Sequence, residues 1–192
     1  MKTGSRAKLA LLALLVGLTT PAALAGGLGE RVEAFEGQDE QGRRHALADQ
    51  QGKVVVVVVW GSSCRASEAY AERLQALARH ATSAGVVVLG VAPNQDDAAA
   101  AVAQAKQRQG LSFPILLDRG GRIAAAVGAS VTPTACVIDG AGVLRYRGAI
   151  DDDPAGSRGA SATPYLRQAI DAVLAGRDPP KTETRPVGRP IR

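Results

Sequence analysis

The spacing of apolar positions changes several times along the chain, and each change marks an element. Six consecutive valines occupy 54–59 and end at Trp60. A run that is apolar at every position and β-branched throughout predicts a strand buried on both faces. The period then lengthens. Ala66, Ala69, Tyr70, Leu74, Leu77 and Ala81 share one face at helical spacing, and Glu68, Glu72, Arg73 and Arg79 lie largely on the other. This predicts an amphipathic helix that Gly85 stops. Residues 86–91 read as a second buried strand. Asp96 and Asp97 suit the start of a second helix, running to about Gln109 and stopped by Gly110. Residues 113–118 read as a short strand and 122–127 as a short helix. Two further strands, 134–139 and 143–148, are joined by the Gly140-Ala141-Gly142 turn. A last helix covers 164–175, with Thr163 as N-cap, Pro164 in the first turn and Gly176 as stop. Ahead of the valine run, alternating pieces at 32–36 and 43–47, separated by Gly37 and Gly42, predict a hairpin. Strand–helix–strand–helix–strand, then a hairpin and a closing helix, is an α/β layered domain.

The ends of the chain alter the picture of charge. Lys2, Arg6 and Lys8 precede a short apolar run at 9–18, and Ala23-Leu24-Ala25 gives a small-x-small cleavage site. That order predicts a signal peptide over 1–25, cut after Ala25, and a secreted or periplasmic protein. The run falls short of the about 20 residues that span a bilayer. No later segment is apolar for long enough, so no transmembrane segment is expected in the mature chain. The whole chain carries 23 Lys and Arg against 18 Asp and Glu. Three basic residues lie in the leader and five from Arg177 onward, so residues 26–176 are nearly neutral, with 15 basic and 16 acidic. Nucleic-acid binding wants a clustered basic face, and none is expected. Residues 26–176 are long enough for one domain with a real core. The Pro-, Thr- and Arg-rich stretch 177–192 is expected to be an extended or disordered tail.

Chemistry converges on one residue. An oxidising compartment lets disulfides persist, yet Cys64 and Cys136 are the two cysteines in the sequence, which is no disulfide scaffold. Cys64 follows the valine strand and opens the next helix. Reactive groups in such folds collect at the carboxyl ends of strands. Free amides and the helix dipole at a helix start favour a thiolate, the reactive form of cysteine. Arg65 adds a nearby positive charge. A structural core cysteine is the alternative; the small and polar flanks Gly61, Ser62, Ser63 and Arg65 speak against a sealed position. Cys136, in the apolar run 135–138, reads as a small buried hydrophobe. His45 and His80 stand alone. Asp151, Asp152 and Asp153 lack the ligand spacing of a calcium loop and read as a solvated turn. No metal or cofactor is expected.

At these residues the chain resembles a known family. Trp60-Gly61-Ser62-Ser63-Cys64-Arg65-Ala66-Ser67 is similar to the Trp-x-x-x-Cys-x-x-Cys segment of exported thioredoxin-like redoxins. The segment from Gly128 through Val131-Thr132-Pro133-Thr134 resembles their cis-proline loop, and the likeness extends over most of 30–176. Residues 145–152 resemble a bacterial subgroup placed among the alkyl hydroperoxide reductase and thiol-specific antioxidant proteins. The resemblance implies a single-domain thioredoxin-like fold, a central mixed β-sheet flanked by helices. It implies thiol-disulfide chemistry at Cys64, with Ser67 and Arg65 beside it. It also implies a substrate groove shaped by Trp60, Thr132 and a cis Pro133; without it, Pro133 reads as an ordinary turn proline.

Departures from the family pattern narrow the chemistry. The second motif cysteine is Ser67, which is placed to donate a hydrogen bond to the thiolate or is a plain first-turn residue. The buried acid that thioredoxins carry six residues before the cysteine is Val58. Related tails end near a Gly-Cys pair; this one has Gly188-Arg189. A mixed disulfide at Cys64 then has no internal cysteine to resolve it. The expected partners are a protein or small-molecule disulfide, or a peroxide, and an external thiol reductant. Two alternatives stay open. In a one-Cys peroxidase, the family's Pro and Thr before the cysteine are replaced by Val57 and Gly61. The other alternative is a redox-inactive binding module.

Overall fold

A computed structural model describes residues 26–192. In chain order the elements are β1 (Glu36–Gln38), β2 (Arg44–Ala46), β3 (Val55–Val59), α1 (Arg65–Ala69), α2 (Ala71–Ser83), β4 (Val87–Ala92), α3 (Ala99–Arg108), β5 (Ile115–Leu117), α4 (Arg122–Ala126), β6 (Val131–Thr132), β7 (Thr134–Ile138), β8 (Leu144–Gly148), α5 (Tyr165–Leu174) and β9 (Arg189–Pro190). The signal-peptide reading falls on residues 1–25, outside the described residues.

The valine run becomes the middle of a five-stranded mixed sheet, ordered β5-β4-β3-β7-β8. β3 runs parallel to β4 and antiparallel to β7. Every residue of β3 is buried. Val56 and Val58 enter one apolar cluster, with Leu74 and Ala78 of α2, Val102 of α3 and Leu166 and Ile170 of α5. Val55, Val57 and Val59 enter the other, with Val32, Phe35, Ile123 and Val127. A strand covered on both faces has no polar position to offer, which is why its sequence does not alternate. Burial of each side chain stabilises the fold by about 1.5–3 kcal/mol.

Five local expectations shift for identifiable reasons. The hairpin forms, but its first strand starts at Glu36, so Gly37 pairs with His45 inside the ladder. The long helix is two segments meeting at Tyr70, whose amide turns back to the Ser67 carbonyl at 3.3 Å. The buried Tyr70 hydroxyl donates to Asp151 at 2.8 Å, which tethers that junction. α3 starts at Ala99 because Asp97 is engaged elsewhere. Thr163 does not cap α5; its amide and hydroxyl donate to Asp152 at 2.7 and 2.8 Å. Asp151 and Asp153 are buried acceptors rather than a solvated turn, for Tyr70 and Arg73 and for the Ser157 and Arg158 amides.

The tail is placed by contacts that its composition does not reveal. Residues 177–192 lie back over the domain, largely as extended chain. Thr184 docks on β8, its amide donating to the Arg147 carbonyl at 3.2 Å and its hydroxyl accepting from the Ala149 amide at 2.9 Å. The buried Tyr146 hydroxyl bonds both the Ala149 carbonyl and Thr184 Oγ1. Arg147 pairs with Glu183 at 2.6 Å. Further on, β9 pairs antiparallel with β6. Backbone groups and polar side chains, rather than apolar ones, make most of these contacts, which is why a polar composition did not announce the docking. Tyr146→Phe strips the hydroxyl and leaves the Ala149 carbonyl short of a donor. It is expected to cost about 1–3 kcal/mol, read as a lower urea midpoint with unchanged slope.

Candidate functional site

β3 delivers the reactive segment. Trp60 continues the ladder, its amide donating to the Val91 carbonyl at 2.7 Å, and the chain then turns through Gly61, Ser62 and Ser63 into Cys64, the N-cap of α1. The peptide bond before Pro133 is cis. Thr132, immediately before it, is buried, and its carbonyl accepts from the Cys64 thiol at 3.2 Å. Gly61 is enclosed between these groups. A Cβ there would lie 2.9 Å from Asn94 Nδ2, 3.1 Å from Cys64 Cβ and 3.3 Å from Thr132 Oγ1.

Burial pushes the Cys64 thiol pKa up, and local donors outweigh it. The Thr132 and Ser67 hydroxyls, then the Ser67 and Arg189 amides, favour the thiolate and bring the pKa below the ordinary value. Ser67 is fully buried, and its hydroxyl oxygen accepts from the Gly61 amide at 3.3 Å. One hydroxyl therefore links the loop before the thiol to the helix after it.

Cys64, Ser67, Thr132 and Pro133 thus come together, while Trp60 and Arg65 do not join them. Trp60 is fully buried in the cluster of Val56 and Val58, its indole N–H donating to Gln109 at 3.2 Å. Its place is the core rather than the groove, because it keeps the inward parity of β3. Arg65 is exposed and is not among the groups that lower the thiol; its charge is screened by water. Cys64 itself is only 3% exposed despite its polar flanks, because the tail lies across it. Cys136 is a buried free thiol opposite Val57 in the middle of the sheet, pushed up to about 12 by burial. It stands as the expected small hydrophobe.

Asp97 is a residue that sequence reasoning placed differently. It is 1% exposed and accepts from the Ser62 amide at 2.8 Å, the Ser62 hydroxyl at 2.6 Å, and the Asn94 amide and Nδ2 at 2.9 Å each. One carboxylate pins the loop after β3 to the loop after β4. The adjacent Asp96 accepts from the Ser63 hydroxyl, which holds its carboxyl below the usual range. Two acidic residues before a helix look alike in sequence whether they cap it or reach across to a neighbouring loop. A cavity of about 720 Å³ lies elsewhere, lined by Phe35, Asp118, Arg122 and Ile123, and contains neither cysteine.

A thiol at the carboxyl end of the central strand, opening a helix and facing a cis-proline loop, defines a thioredoxin-fold redoxin. The chain belongs to the AhpC/TSA family, whose sequence pattern matches residues 28–147. It is similar to the thiol-disulfide oxidoreductase ResA of Geobacillus thermodenitrificans (strain NG80-2), 31% identical over 121 residues, 63% of this chain and 68% of that protein. The crystal structure of a protein from Sinorhizobium meliloti 1021 superposes with a TM-score of 0.78 at 27% identity, over 86% of this chain and 93% of that one. A secreted Mycobacterium tuberculosis disulfide oxidoreductase homologous to E. coli DsbE shares the fold, with a TM-score of 0.51 at 24% identity over 57% and 79%.

The pH profile of Cys64 alkylation by iodoacetamide should have its midpoint below that of an unperturbed thiol, about 8.5. Ser67→Ala should move the midpoint up and slow alkylation at pH 7 several-fold. A midpoint insensitive to Ser67 removes that hydroxyl from the account.

Proposed function

We propose that this is an exported thiol-disulfide oxidoreductase in which Cys64 is a single nucleophile. The observation that carries this reading is the place of the Cys64 thiol, at the N-cap of α1 and against the Thr132–Pro133 cis loop, with local donors that favour the thiolate. The name of the Geobacillus relative, a thiol-disulfide oxidoreductase, supports the same reaction class. The Cys64 thiolate attacks one sulfur of a substrate disulfide, the S–S bond breaks, and the other sulfur leaves as a thiolate that takes a proton from water. A mixed disulfide remains. Ser67 cannot attack it as a thiol would, and Cys136 is buried with a raised pKa. An external thiol therefore attacks the Cys64 sulfur and releases the second substrate thiolate, and a second external thiol attacks the sulfur now bonded to Cys64, forming the new disulfide and freeing the Cys64 thiolate. Each cycle turns one substrate disulfide and two thiols into two substrate thiols and one new disulfide.

The site favours disulfide over peroxide as substrate. Ser62 and Ser63 commit their hydroxyls to Asp97 and Asp96. Gly61 stands where a peroxidase of this family carries threonine, and a side chain there would crowd Asn94, Cys64 and Thr132. Thr132 and Pro133 form the groove wall in this proposal.

Treated with oxidised glutathione, the protein should gain one glutathione by intact mass and keep it until an external thiol is added. Cys64→Ser should gain none, and Ser67→Cys should shed the adduct rapidly. Absence of any adduct even after prolonged incubation with excess oxidised glutathione ends the nucleophile reading, and a redox-inactive binding module then stands in its place. Export is proposed from the leader over residues 1–25. N-terminal sequencing of the protein from an envelope fraction should begin at Gly26, and an intact Met1 terminus would overturn it.

A further inference from the structure

The edge of β6 beside Cys64 is already occupied. β9 pairs with it antiparallel, Pro190 opposite Val131 and Arg189 opposite Thr132. The Ile191 amide donates to the Ser130 carbonyl at 3.0 Å, and the Gln95 amide donates to the Arg192 carbonyl at 3.0 Å. The Thr132 hydroxyl lies 3.4 Å from the Arg189 carbonyl, within reach of both it and the thiol. The Arg189 guanidinium donates to Ser63 Oγ at 2.9 Å and lies 3.5 Å from Asp96. This strand lies over a thiol that is 3% exposed.

Two features suit the strand to come and go. It is held by main-chain hydrogen bonds and the exposed-face contacts of Arg189, and its one apolar anchor is Ile191, only partly buried against the cluster of Val55, Val57 and Val59; Val187, just before it, is 57% exposed. Segments held this way open at low cost relative to the core. Its register is set at one point. Gly188 passes so close to Thr132 that a Cβ would lie 1.9 Å from the Thr132 carbonyl oxygen and 3.1 Å from Pro133 Cδ. Only a residue without a side chain fits there. Meanwhile Thr184, bonded to Tyr146 and Ala149, keeps the tail tethered nearby.

We propose that residues 188–192 are a resident, tethered ligand of the groove beside Cys64. The partner that displaces them is an extended polypeptide with glycine at the position of Gly188. Main-chain pairing to Val131 and Thr132 gives such a segment its hold, and the glycine requirement gives selectivity. While the strap is seated, Cys64 is shielded from bulk disulfides. Tethering makes the strap compete at high effective concentration, so weakly pairing segments are turned away. The inference rests on the reading of Cys64 as the reacting atom, but alkylation measures the gate without requiring turnover.

The test uses full-length protein carrying Gly188→Val, a change at an exposed position that leaves the Thr184 anchor intact. Iodoacetamide alkylation of Cys64 is compared with wild type at a pH where the thiol is fully ionised, so that access alone is read. The variant should react at least about tenfold faster, lose hydrogen-exchange protection at the Ile191 amide, and keep its far-UV circular dichroism. A synthetic heptapeptide of residues 186–192, added in millimolar excess, should slow the variant again; the same peptide with valine for glycine should not. An unchanged alkylation rate overturns the proposal. So does equal protection by both peptides, or by neither. A protein that shows this gating, yet whose ungated Gly188→Val variant forms no glutathione adduct, would keep the strap and lose the oxidoreductase reading.

Discussion

Burial of β3 on both faces is the constraint from which the rest follows. A central strand with neighbours on both edges and apolar clusters on both faces cannot slide or tilt without exposing one set of valines or the other. Its carboxyl end is therefore a fixed point. The loop leaving it is pinned a second time by Asp97, which ties Ser62 to Asn94 across the ends of two parallel strands. Cys64 inherits its position from these two restraints before any feature of its own side chain matters.

Two opposed effects then act on the thiol. Taking it out of water disfavours the charged form, while the hydroxyls of Thr132 and Ser67 and the amides of Ser67 and Arg189 favour it. The donors win. Ser67, where the family motif carries a second cysteine, supplies one of these donors. Cys136 shows the contrast: burial without donors drives its thiol far up. Distance from the strand end and absence of local N–H or O–H groups separate an inert cysteine from an activated one.

The same edge of Val131–Thr132 serves two ends. It presents the Thr132 carbonyl to the thiol and its outer main-chain groups to the tail. An unpaired strand edge is open to any extended segment, and a protein that needs such an edge for partners must keep it from unspecific pairing. Covering it with the chain's own C-terminal strand achieves this, and it also sets what a partner must do to enter.

Much of this was legible in the residues. The six valines announced a two-faced strand, and the change of period after Cys64 announced the helix it opens. The proline loop at Gly128 to Thr134 was implied only by the family resemblance, whereas the strand and the helix were read from pattern alone. Local patterning carries these features because periodicity and turn residues report on neighbours in sequence. The residues alone did not say that Trp60 faces the core, that Arg65 points to water, that Asp97 bonds a loop 35 positions away, or that a polar tail returns to cover Cys64. Those depend on which groups long-range folding brings together, and main-chain hydrogen bonds leave no mark in composition. The sequence by itself determined the fold class and the thiol at the strand end. Tertiary structure alone decided what surrounds that thiol, because its burial and its donors come from segments far apart in the chain.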